Sequence, residues 1–109
     1  MKKLILSVLA AIPSIAFAAT WANAPLVDHN CMEKVKANPD THTTACLLQC
    51  ASSGYGILEN GKWIKFDKAG NEKALAALKA THRKDHVRVN VTGELKGSEI
   101  HVSTLSIPD

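Results

Sequence analysis

Cys31, His42, Cys46 and Cys50 fall within one short stretch, DHNCMEKVKANPDTHTTACLLQC, with the spacing C-x10-H-x3-C-x3-C. Thiolate sulfur and neutral imidazole nitrogen are the donors that a tetrahedral zinc ion takes, and soft sulfur also suits copper(I). Met32 adds another soft sulfur beside Cys31, and His29 a spare imidazole. Cys46 and Cys50 are four apart, so on one helix their Cβ atoms lie roughly 5–6 Å from each other and both can reach one ion. His42 and Cys50 are eight apart, about 12 Å along a helix axis at ~1.5 Å per residue, too far to share an ion from one continuous helix. A common site therefore requires a helix that begins at about Thr43, with His42 folded back on the preceding turn and Cys31 arriving from the incoming loop.

The same cysteines support other chemistry. In an oxidising compartment thiols pair. A bond from Cys31 to either Cys46 or Cys50 would close a loop of roughly 15–20 residues and stabilise by about 3 kcal/mol in the chain-entropy model. One cysteine is then left over, open to a bond between two chains. A Cys46–Cys50 bridge on one helix is disfavoured, because the Cβ vectors are poorly aimed. The third reading is a reactive or sensing thiol, since the first turn of a helix, where Cys46 would sit, favours the thiolate. Cys-x3-Cys is not the Cys-x2-Cys of thioredoxin-like enzymes.

The compartment follows from the N-terminus. MKK is a positive n-region, LILSVLAAIPSIAFA an apolar run, and Ala16-Phe17-Ala18 a small-x-small cleavage site. This is the pattern of a cleaved signal peptide over residues 1–18, too short and wrongly flanked for a spanning helix. It predicts a periplasmic or secreted protein whose mature part, 19–109, is a single domain. A chain this small often needs a staple besides its core. Without Lys2 and Lys3 the basic residues fall to 11 against 10 acidic, so the mature charge is near neutral. That leaves no electrostatic footprint for nucleic acid. No second apolar run is long enough to span a membrane.

Several elements must position the cluster. ATWANAPLVD (19–28) reads in part as a first strand, edge or bent because of Pro25. Residues 31–40 read as irregular. TTACLLQCASSG (43–54) reads as a short helix capped by Thr43 or Thr44 and ended by Gly54. YGILENGKWIKFD (55–67) is a hairpin about Asn60-Gly61, a dipeptide that accepts the positive φ angles of a type I′ turn. Residues 71–84 read as a helix capped by Asn71. HVRVNVTG (86–93) alternates as a half-buried strand, and SEIHVSTLSI (98–107) pairs back onto it. The apolar phase of that last strand switches near Ser103-Thr104, which predicts a bulge.

The order predicts a mainly β chain with two helices, of α+β class. Its expected layout is a five-stranded OB-like Greek-key barrel with the cysteine-bearing helix between strands 1 and 2. A plain α+β sheet with two helices on one face is the competing architecture. The segments DHNCM, then His42, Cys46 and Cys50, SGYGIL, GKWIKFD and VRVNVTGELKGSEIHVSTLSI resemble small exported bacterial domains with an Asp-x-x-Cys opening. In those a His–Cys–Cys segment precedes a hairpin and a V-x-V-x-G terminal hairpin. The resemblance covers most of the mature chain and implies an OB-like fold and export, but little chemistry, since most such domains are uncharacterised. The matching positions are Asp28, Cys31, His42, Cys46 and Cys50. Met32 stands where a glycine is usual, and the spacer before His42 is longer.

No glycine-rich phosphate loop, Ser/His/Asp set or carboxylate pair appears, so no catalytic activity is expected. His82 and His86 read as a solvated helix end and strand start. Trp63, Tyr55 and Phe66 read chiefly as core, with a ligand face near Tyr55 and Trp63 as the alternative. Two functional readings follow. The first is a non-enzymatic exported domain that binds Zn or Cu(I) through Cys31, His42, Cys46 and Cys50. The second is a disulfide-stapled binding or interaction module with one leftover thiol and an unidentified ligand or protein partner.

Overall fold

The computed structural model describes residues 17–108. The expected signal segment lies outside them apart from Phe17 and Ala18, which extend the first strand opposite Leu95 and Glu94. The strands are β1 (Phe17–Asp28), β2 (Tyr55–Glu59), β3 (Lys62–Phe66), β4 (Arg88–Lys96) and β5 (Glu99–Ser106). They form one sheet in the order β1-β2-β3-β5-β4, and β4 pairs back onto β1, so the sheet closes on itself. All pairs are antiparallel except β3 with β5, which run parallel through Lys65↔Glu99 and Phe66↔Ile100. The β3–β5 contact that completes the closure spans only two residue pairs.

The class is mixed α+β, with three helices among the described residues where the sequence pattern predicts two. They are α1 (Met32–Val35), α2 (Thr44–Gln49) and α3 (Lys68–Ala80). The extra one lies in the polar run 31–40 expected to be irregular, which 3₁₀ turns at His29–Cys31 and Pro39–Thr41 flank. Such short turns carry no apolar periodicity of their own; their neighbours hold them in place.

The local chemistry of the strands matches their sequence. Asn60 and Gly61 have φ of 53° and 78°, as the turn between β2 and β3 requires. In β4 the alternate residues Val89, Val91 and Gly93 are buried. Thr92 pairs with Thr104 but Gly93 with Val102, so Ser103 is the bulged residue at the phase switch. A second irregularity in β1, between Trp21 and Ala24, places Asn23 at φ 55° with its N–H on Asn90 Oδ1 at 2.8 Å.

Helix α3 begins three residues earlier than the sequence predicts. Asp67, not Asn71, is its cap: Asp67 Oδ1 accepts from Gly70 N at 2.9 Å and from Val102 N at 3.2 Å. Asn71 instead accepts from Tyr55 N at 2.8 Å through Oδ1. The helix ends at Ala80, so His82 lies beyond it. Ala74 and Leu78 of α3 and Leu47 of α2 join Leu26, Ile57, Phe66, Val89, Val91 and Ile100 in one buried cluster. The segment between β1 and β2 thereby helps fill the interior.

Gly56 tests the β2–β3 register. A Cβ at this position would lie 2.3 Å from Ile64 O and 2.8 Å from Trp63 Cε2. The backbone oxygen cannot move without breaking the pairing of Gly56 with Lys65. Gly56→Ala should cost about 1–3 kcal/mol in urea unfolding; an unchanged midpoint would contradict this packing.

Candidate functional site

Asp28 is the last residue of β1 and, by the period of two, shares the face of the core residue Leu26. It is completely buried. A carboxylate there requires hydrogen-bond partners. Its Oδ2 accepts from Cys31 N at 3.1 Å and caps the 3₁₀ turn His29–Cys31. Its Oδ1 lies 2.6 Å from Nε2 of His42, which is itself buried. An ionised carboxylate only accepts, so His42 is the donor, through Nε2–H.

His42 is held in place from a distance. It follows the turn Pro39–Thr41 and donates its backbone N–H to Pro39 O at 3.1 Å. Within that turn Asp40 receives a two-point ion pair from Arg88 of β4, Nε to Oδ1 at 3.1 Å and Nη2 to Oδ2 at 3.0 Å. Arg88 Nη1 also donates to Asn23 O in the bulge of β1, at 3.1 Å. His86 N donates to Asp40 O at 3.1 Å. Arg88, above all through its hydrogen bonds, holds the Asp40 carboxyl below its ordinary value.

Cys50 arrives on the far side. Thr43 caps α2 by accepting from Cys46 N at 3.1 Å, and Thr44 N donates to Lys84 O at 2.9 Å. Cys50 is the C-cap, with its N–H on Cys46 O at 3.1 Å. Ser53 laces the two cysteine segments together: its Oγ donates to Cys50 O at 2.9 Å and accepts from Asn30 N at 3.3 Å. His29 N adds a bond to Gly54 O at 2.9 Å.

A carboxylate oxygen of Asp28 and the sulfurs of Cys31 and Cys50 consequently lie within 4.8 Å of one another. Burial pushes the Cys31 thiol up, negative charge from Asp28 and Cys50 pushes it the same way, and Lys34 opposes them. Tyr55 stands close by. Burial, then Asp28 and Cys50, push its hydroxyl up to about 12, and it donates to Leu47 O at 2.7 Å. It is the strand partner of Asp28, and its hydroxyl is committed to that carbonyl.

The four residues singled out by spacing are thus divided. Cys31 and Cys50 converge. His42 reaches the site through Asp28 and is not one of the three mutually close groups. Cys46 is exposed and outside the group. All three cysteines are free thiols in this structure. Asp28 takes the third place. Its signal is the Asp-x-x-Cys spacing itself, because a side-chain acceptor at position i that caps the amide at i+3 draws the two residues together. On the alternative ligand face Tyr55 is fully packed. Trp63 is half-buried, with Nε1 on Val27 O at 3.0 Å and its ring 5.3 Å from that of His29. Comparison with family models, curated proteins and solved structures returns no match.

Two predictions follow from this wiring. His42→Leu strands the buried Asp28 carboxylate and should cost about 3–5 kcal/mol in urea unfolding at pH 7, whereas the double variant with Asp28→Leu recovers part of the loss. Additive losses would mean the two residues do not depend on each other. The second concerns Arg88→Gln, which should cost about 1–2 kcal/mol at neutral pH. The Asp40 carboxyl is depressed in the folded state, so its contribution is present above its ordinary value of 3.8 and disappears as pH falls through the lower folded value. The gap between wild type and variant should accordingly narrow below pH 3.8. A gap independent of pH would show that the ion pair contributes nothing.

Proposed function

We propose that this chain is an exported, non-enzymatic, OB-like domain that binds a thiophilic metal ion through Cys31, Cys50 and Asp28. The OB-like reading draws support from the closed order β1-β2-β3-β5-β4, the parallel β3–β5 pair and a helix between β3 and β4. The metal reading is carried by one observation, the mutual approach of two sulfurs and a carboxylate oxygen within 4.8 Å. Thiolates bound at ~2.3 Å to a single tetrahedral ion lie about 3.5–4 Å apart, so little movement separates this arrangement from a ligand set.

The donor set favours zinc over copper(I), because a hard carboxylate accompanies the two soft sulfurs. His42 is then the group that orients a ligand, not a ligand itself. Metal-bound carboxylates are ordinarily held by such outer hydrogen bonds. Three protein donors leave a coordination position for water or another molecule, the arrangement of an exchangeable site more than of a closed structural one.

Zinc titration of the reduced chain tests this. One equivalent should bind. Cys31→Ser and Cys50→Ser should each weaken binding by about 100-fold or more, His42→Gln by about 10–100-fold, and Cys46→Ser hardly at all. Affinity should rise with pH to beyond the ordinary thiol value of 9.0, since zinc must displace a proton that the Cys31 surroundings retain. Failure of the reduced chain to bind zinc or copper(I), together with a permanent Cys31–Cys50 bond, would make the domain a disulfide-stapled module instead.

A further inference from the structure

We propose that the site is redox-gated: Cys31 and Cys50 hold the ion as two thiolates, and oxidation joins them in a disulfide that releases it. The inference rests on the metal reading and adds its control. The two sulfurs already lie within 4.8 Å of each other. A disulfide needs ~2.0 Å. Neither cysteine is inside a rigid element. Cys31 ends a 3₁₀ turn at φ −107°, ψ 3°, and Cys50 caps α2 at φ −102°, ψ 23°. Both are half-exposed, so an oxidant has access to them. The segment that carries them between β1 and β2 has no strand of its own in the sheet, and closing the gap breaks no strand pairing.

The pairing also accounts for the odd cysteine. Cys46 is exposed, one helical turn before Cys50, and a bond between those two is poorly aimed. Oxidation resolves onto Cys31 and Cys50, and Cys46 remains a thiol. Asp28 keeps its bond to His42 in both states but loses its two fellow ligands.

The oxidant is a disulfide-bearing molecule of an oxidising compartment. One cysteine thiolate attacks that disulfide, forms a mixed disulfide and expels one oxidant thiolate. The other cysteine thiolate attacks the protein sulfur of the mixed disulfide, forms the Cys31–Cys50 bond and expels the second oxidant thiolate. Two electrons pass from the cysteine pair to the oxidant, and the ion departs as a hydrated cation.

The chain carrying Cys46→Ser, reduced and loaded with zinc, is treated with oxidised glutathione in the presence of a zinc-sensitive dye. One zinc should be released per chain, peptide mapping should place a bond between Cys31 and Cys50, and dithiothreitol should restore binding. Zinc present at 100 times its Kd should make the pair about 100-fold harder to oxidise in a glutathione buffer. Bound zinc that leaves the oxidation midpoint unmoved, or oxidation that stops at two glutathione adducts, overturns the gate while the metal reading stands. A reduced chain that takes up no zinc overturns both.

Discussion

The contact between the buried carboxylate of Asp28 and the imidazole of His42 is the constraint on which the site depends. A carboxylate at the inner face of β1 has no access to water and must be satisfied by protein groups. One oxygen takes His42 Nε2–H and the other the backbone of Cys31. Those two bonds fix where the chain goes after the strand and which later turn must come back over it.

The closed sheet and the insertion divide the work. The sheet supplies a stiff rim, with β4 and the bulge of β1 both anchored to the insertion through Arg88. The insertion supplies all three cysteines and is held by side-chain and turn bonds, not by sheet pairing. Leu47 fastens it to the core, and Tyr55 donates to the Leu47 carbonyl. Such an assembly can keep its anchors while its exposed sulfurs shift by an ångström or two. Exchange of a ligand or a bond between the cysteines is compatible with an unchanged fold.

Much of the fold was legible because its signals are local. Asn60-Gly61 specifies a turn that only a few residue pairs adopt, and the alternating valines of β4 specify a buried face. The phase switch at Ser103-Thr104 marks a real bulge. The start of α3 is not legible locally, because Asp67 and Asn71 are both good caps. What separates them is distant: Asp67 also accepts from Val102 N, and Asn71 is engaged by Tyr55 N. The short α1 helix leaves no signal in the sequence, because four residues carry no readable period.

The candidate site divides along the same line. By itself the sequence determined the residue types available for chemistry and the limit that one helix cannot bring His42 and Cys50 to a common ion. Those are matters of composition and of geometry within a few turns. The tertiary structure alone decided that Cys50 joins Asp28 and Cys31, that His42 stands behind the carboxylate, and that Cys46 stays exposed outside the group. Spacing along a chain limits distances only over a turn or so. Beyond that the path is set by remote partners, here an arginine 48 residues from the aspartate it clamps.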